Sequence, residues 1–279
     1  MQIIDFILNL AAWILWVNGW IQLHNKADIQ RPLTLLGTLV GPTRRMSRAW
    51  LYFGGFAVLI FLKTILLHYL GAPIETTMVV KFLLLMVYFK TGTLVSMFWM
   101  AFASFMKFAL IAYIWVWFLA RMSREDTAEN IVSGLNASLG FLQNRHWVLQ
   151  MVALVLFGMA GWIFLGIVFG WLGVLPPIKS VSFLVWQSLC ISLCAWLALY
   201  YLVNVLMILY LIHSYIHLGN WEGWDWLDGV SEKLMSPLSP LPLQWARIDF
   251  TPVFLLLLNW LLYEAGTRLV LKVFQYGLA

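Results

Sequence analysis

The sequence predicts an all-α fold, a polytopic transmembrane helix bundle of about six spans, arranged as three helical hairpins with interfacial amphipathic helices. Three observations predict it. Hydrophobic residues make up 63% of the 279 and charged residues only 10%, against about 45–50% and about 25% in a soluble domain. So little charge cannot coat a water-facing surface, so the bulk of the surface must face lipid. The apolar residues also fall in runs of about 20 or more, the length a helix needs to cross the hydrocarbon layer. Finally, the chain holds 17 Trp, 19 Phe and 10 Tyr. Trp13, Trp16, Trp20, Trp50, Trp147, Trp171 and Trp221 stand near the ends of those runs, where amphipathic rings sit at the headgroup level. Trp99 and Trp162 lie inside runs and read as core.

Taken in order, the predicted spans are 3–23, 49–70, 93–120, 147–172, 182–216 and 250–274. The fifth is too long for one upright helix, so it tilts, breaks or extends into the interface. A shorter apolar piece, 76–90, carries Lys81 and Lys90. It reads as an interfacial helix, a re-entrant segment or the start of a very long third helix. The connections alternate. Those at 24–48, 121–146 and 217–248 are long and polar, whereas 71–75 and 173–181 are short and rich in Gly and Pro. The alternation describes one unit, helix–long loop–helix, written three times over 1–71, 72–175 and 176–279. Each long loop holds an amphipathic segment at steps of 3 and 4: Ile29, Leu33, Leu36 and Val40; Ile131, Leu135, Leu139 and Leu142; Trp224, Leu227, Val230 and Leu234. Such stripes suit helices lying in the interface, apolar face down.

Basic residues set the orientation. The long loops carry Lys26, Arg31, Arg44, Arg45, Arg48, Arg121, Arg124, Arg145, Lys233 and Arg247, the other side fewer. The positive-inside rule therefore places the long loops in the cytoplasm. The net charge of +5 reads as this bias plus attraction to anionic lipid headgroups, not as a nucleic-acid surface. The first run lacks a basic leader and a small-residue cleavage site, and is expected to persist as a transmembrane helix. Cys190 and Cys194 lie one helical turn apart in an apolar run and read as packing residues rather than a disulfide.

Few residues point to chemistry. His213 and His217 share a helical face, the spacing of a weak metal or haem ligand pair. No third ligand stands at a telling distance, so no metal or cofactor is expected, and interfacial contact with headgroups is the plainer reading. Lys63, Lys107 and Glu264 lie within predicted spans. A charge at the centre of a membrane helix costs at least about 2.5–3.5 kcal/mol, so such residues pair, face the bundle interior or snorkel. Glu264 and Asp5 are candidate partners for the lysines, with Asn204 and Asn259 adding hydrogen-bonding capacity. A buried ion pair is the favoured reading, a solute or proton path the rival. There is no phosphate loop, dinucleotide fingerprint, zinc signature or Ser/His/Asp order, so catalysis is not expected.

The most specific text runs from Leu234 to Leu258. Pro237 and Pro240 lead to Asp249-Phe250-Thr251-Pro252, which opens a leucine-rich helix. This resembles the YggT family (YlmG in plants and Gram-positive bacteria), whose hairpin has a proline-rich segment followed by Asp-x-Ser-Pro. Here threonine stands for the serine. The likeness covers about 200–270. In the first unit Pro42, Arg44 and Arg45 resemble the family's Pro-x-Arg-Arg stretch. Family members have two hairpins where this chain has three. The resemblance implies a non-enzymatic factor in the bacterial cytoplasmic (inner) membrane, engaged in assembling or organising membrane complexes or in osmotic and envelope homeostasis. Its expected partners are membrane lipids and other integral membrane proteins or further copies of itself. A small channel or transporter, or a structural subunit of a respiratory or photosynthetic complex, are the alternatives. Independently of kinship, proline suits a helix's first turn, and Asp249 or Thr251 can cap its exposed N–H groups.

Overall fold

The computed structural model describes residues 2–24, 49–70, 77–123, 134, 146–176, 180–216, 219, 221–241, 243–245 and 248–276. Its elements are α1 (Gln2–His24), α2 (Ala49–Leu70), β1 (Thr77–Phe82), β2 (Leu85–Lys90), α3 (Leu94–Met122), α4 (Trp147–Trp171), α5 (Val181–Leu197), α6 (Leu199–Tyr215), α7 (Glu222–Met235), β3 (Gln244–Trp245), β4 (Ile248–Asp249) and α8 (Thr251–Tyr276). Six helical stretches among the described residues are long and apolar enough to cross a bilayer, with α5 and α6 counted as one. The chain is therefore an integral membrane protein, an all-α polytopic bundle. The amphipathic segments expected around Ile29–Val40 and Ile131–Leu142 lie outside the described residues.

Two compact units divide the chain, Met1–Thr76 with Thr91–Phe108 and Thr77–Lys90 with Ala109–Ala279. In the first, α1 and α2 pack side by side through aromatic rings. Trp16 meets Phe53 and Phe56 at centroid distances of 5.6 and 5.4 Å, and Phe56 meets Phe105 of α3 at 4.8 Å. Trp13, expected at the interface, is buried instead, because α1 turns that face toward its neighbours. Trp50, Trp147, Trp171 and Trp221 are exposed near helix ends, as interfacial anchors are.

In the second unit, α4 and α5 approach closely along small residues. A Cβ on Gly158 would lie 2.7 Å from Ser192 Oγ, and one on Gly166 2.8 Å from a Leu184 methyl. Ser192 Oγ donates to the Val155 carbonyl at 3.0 Å, stitching the two helices together. With lipid no more apolar than a leucine, membrane helices associate through such close approach and hydrogen bonds. Cys190 and Cys194 are free thiols buried on α5.

The long fifth span breaks at Ala198. The Ala198 N–H reaches back three residues to the Ala195 carbonyl (3.3 Å), tightening the last turn of α5. The Ala198 carbonyl accepts from Trp115 Nε1 at 3.2 Å. A tightened turn and a side-chain donor on a backbone carbonyl are recognised causes of a helix break, and here they act without proline or glycine.

Residues 76–90, read from sequence as helix or re-entrant segment, hold an antiparallel hairpin that pairs Val79 with Tyr88, Lys81 with Met86 and Phe82 with Leu85. Val80, Phe82, Leu85, Val87 and Phe89 are buried, while Val79, Lys81, Met86, Tyr88 and Lys90 are exposed. That alternation is the period of a strand. The tip has Leu83 at φ 50°, a left-handed conformation rare in a residue with a branched side chain.

Candidate functional site

The charged residues within spans provide the first candidate. In the first unit, Asp5 and Asn9 stand one turn apart on α1, Lys63 on α2 and Ser104 on α3. Lys63 Nζ lies 2.7 Å from Asp5 Oδ1 and donates to Asn9 Oδ1 at 2.8 Å. Asn9 Nδ2 donates to Asp5 Oδ2 (3.1 Å) and to Ser104 Oγ (3.3 Å), while Ser104 Oγ donates to Asp5 Oδ2 at 3.1 Å. A longer contact of 3.5 Å runs from Lys63 to the Ala101 carbonyl. Lys63 is 2% exposed and Asn9 2%. The lysine of α2 is thus embedded among acceptors supplied by α1 and α3, not extended toward the headgroups. Lys107, one turn beyond Ser104 and half-buried, interacts electrostatically with both Asp5 and Lys63.

The arrangement answers the question of partners. Asp5 takes Lys63, as one of the two acids considered. Glu264 does not: it holds Arg268 one turn along α8 at 3.1 Å. Asn9 and Ser104 complete the ring but were not singled out from the sequence. Asn9 had a signal, since it follows Asp5 by one turn in an otherwise apolar helix. Ser104 had none, because serines are common in membrane helices. The second unit has a similar polar contact between α6 and α8, where Asn259 Nδ2 donates to Asn204 Oδ1 (2.8 Å) and to the Tyr200 carbonyl (3.1 Å). Gln150, unremarked in the sequence, is buried and accepts from Trp117 Nε1 at 2.7 Å and Arg121 Nε at 3.3 Å.

The motif of the last hairpin is the second candidate. Helix α7 lays its apolar face on protein. Leu227, Val230 and Met235 join Leu202, Val203, Leu206 and Met207 of α6 in one buried cluster. Polar contacts anchor it, with Trp226 Nε1 donating to Ser123 Oγ at 2.8 Å and Lys233 Nζ to the Arg121 carbonyl at 2.7 Å. His213, at the end of α6, lies 3.2 Å from Asp228 and stacks on Trp224 with ring centroids 5.0 Å apart. It therefore clamps α7 to α6, and His217 lies outside the described residues. Pro237 and Pro240 are exposed in the turn after α7. Asp249 Oδ1 accepts from the Thr251 N–H at 2.9 Å and from the Thr251 hydroxyl. Together with Pro252 in the first turn this starts α8 sharply. Asp249 and Thr251 also edge an open pocket of about 400 Å³, with Tyr210, Glu232, Ser236 and Ser239 among its other walls. Pro42, Arg44 and Arg45 lie outside the described residues. In comparisons with known proteins, the chain matches no family model, no curated protein and no solved structure.

Proposed function

We propose that this chain is a non-enzymatic membrane factor of the YggT/YlmG kind. It sits in the bacterial cytoplasmic membrane with its long loops in the cytoplasm. It acts through helix–helix and interfacial contacts in assembling or organising other membrane components. The observation that carries this reading is the ring around Lys63. Its intramembrane charge is met by Asp5 and Asn9 of α1, both of which are hydrogen-bonded to Ser104 of α3, which is the pattern of a group that holds helices together. A conducting group instead faces a water-filled cavity. The surface supports the reading as well. Helix α8 leaves Val253, Leu257, Trp260, Leu261, Leu262 and Leu269 exposed, a broad apolar side on which lipid, another membrane protein or a second copy can pack. The motif at Asp249–Pro252 supports the kinship by placing its aspartate where it caps the last span.

A small channel or transporter is the second reading. It is favoured by Lys107, a further cation in the same span as Ser104, which leaves two lysines around one aspartate. Reconstitution decides between them. Liposomes holding the purified chain should show no flux above empty liposomes under ion or osmotic gradients, while mild-detergent extracts should yield the chain with a reproducible membrane partner or as an oligomer. Flux abolished by Lys107→Leu in a chain that still folds would overturn the proposal in favour of transport.

A further inference from the structure

We propose that the pocket formed by α6, the turn after α7 and the start of α8 holds the ammonium of a phosphatidylethanolamine headgroup, in the leaflet on the side of the long loops. Its described walls all belong to the second compact unit, and the local sequence builds them. After α7 the chain turns through Ser236–Leu238, where Leu238 is buried as a peg. Pro237 and Pro240 fix the backbone on either side of that peg. The Leu241 N–H donates to the Leu238 carbonyl at 3.0 Å, and the Phe250 N–H to the Leu243 carbonyl at 3.1 Å. With the pairing of Gln244 and Asp249, these bonds return the chain to the turn, so that Asp249 faces the same pocket as Ser236 and Ser239. The pocket encloses about 400 Å³, within the range of small-ligand sites, about 300–1,000 Å³. Its level in the membrane follows from the helices that meet there. Tyr210 precedes the end of α6 by five residues, or about 8 Å at 1.5 Å per residue. Thr251 is the first residue of the last apolar helix. The pocket therefore straddles the boundary between headgroups and hydrocarbon.

The walls set the chemistry of the occupant. Glu232 and Asp249 share them with the hydroxyls of Tyr210, Ser236, Ser239 and Thr251, and no lysine or arginine is among the described walls. Lys233, beside Glu232, is engaged by the Arg121 carbonyl at 2.7 Å. Asp249 Oδ1 takes both the N–H and the hydroxyl of Thr251, and no described residue bonds its Oδ2. The Tyr210 phenol feels the carboxylates of Asp228, Glu232 and Asp249 together, so the field inside is negative and the ligand is cationic. A primary ammonium brings three N–H donors to these carboxylate and hydroxyl acceptors, and such charge-assisted bonds are the strong ones. A choline head has no N–H to give and is held by several aromatic faces, whereas Tyr210 is the one ring among the described walls. An anionic head would meet two carboxylates. No group of three or more His, Cys, Asp or Glu is gathered among the described residues, so a bare metal ion is the poorer occupant. The ammonium comes from a lipid because the pocket opens beside an apolar track. At about 100° per residue, Phe254, Leu261 and Leu262 fall on the side of α8 that carries Thr251, and all three are exposed. Acyl chains can lie along that side while the head fills the pocket. The pocket would take this headgroup whether or not the chain assembles other proteins.

Native mass spectrometry of the full chain in mild detergent tests this, with phosphatidylethanolamine, phosphatidylcholine and phosphatidylglycerol of identical acyl chains added in turn. The ethanolamine lipid should bind more tightly than either of the others by on the order of fivefold or more, the worth of one charge-assisted bond. Asp249→Ser keeps a capping oxygen at the start of α8 but removes the charge, and should erase the preference. If Asp249→Ser fails to fold, Ser239→Trp, which fills the pocket from its exposed turn, replaces it with the same expected loss. Equal binding of the three lipids, or tighter binding of phosphatidylglycerol, would overturn the proposal. An ethanolamine preference that survives both substitutions would place the lipid elsewhere and overturn it too. Displacement of the lipid by an equal concentration of water-soluble phosphoethanolamine would give the pocket to a soluble amine and refute the lipid.

Discussion

At the scale of single residues, the chain places a lysine where lipid would exclude it and surrounds it with acceptors. Asp5 supplies the charge, and Asn9 and Ser104 hold its carboxylate by hydrogen bonds. Breaking a buried ion pair by removing one partner costs about 3–5 kcal/mol, because the remaining charge is stranded. The Asp5 side chain is 36% exposed, so Lys63→Met should cost less, about 2–3 kcal/mol. Asp5→Leu should cost more than Lys63→Met, since it leaves the ammonium buried. The double variant should be more stable than Asp5→Leu alone. Thermal unfolding in detergent checks the order, and additive losses would show that the two side chains do not interact. This pair was legible in the sequence as two charges inside apolar runs. Its geometry was not, because Asp5 and Glu264 stood equally open as acids until the fold put α1 beside α2.

At the scale of elements, the helices were legible and the exceptions to them were not. Runs of apolar residues mark helices because each must satisfy its own backbone in lipid. The break at Ala198 left only its excess length as a trace, since one of the two contacts that mark it comes from the Trp115 indole, a residue 83 positions away. The hairpin was missed because its tip, Leu83-Leu84, lacks the glycine or asparagine that announces a tight turn. Two predictions follow from these local geometries. Leu83→Asn should be tolerated or stabilising, while Leu83→Val should destabilise by about 1 kcal/mol, because a β-branched side chain tolerates positive φ least. Equal effects of the two would show that the tip is not strained. Gly158→Leu should lose about 1–3 kcal/mol by overpacking, as its side chain would meet Ser192 and Leu110, and Gly158→Ala less. Proteolysis resistance of the α4–α5 region in detergent would report both, and an unaffected Gly158→Leu would mean that the seam is loose.

At the scale of the whole molecule, composition alone dictated a membrane bundle, since a chain with 10% charged residues has no water-soluble alternative. For what the bundle does, the sequence offers only the resemblance around Asp249–Pro252, and the function that it implies is our proposal. Packing inside each unit leaves much of the spans' apolar surface outward, on α8 above all. The reading of the chain as a factor that works by contact predicts that this surface is occupied in the cell by protein as well as lipid. Crosslinking mass spectrometry on native membranes tests it most directly. The account predicts recurrent crosslinks from the exposed side of α8, around Leu257 and Leu261, to one membrane protein or to a second copy of the chain. Crosslinks to lipid alone, from a chain that stays strictly solitary, would contradict it.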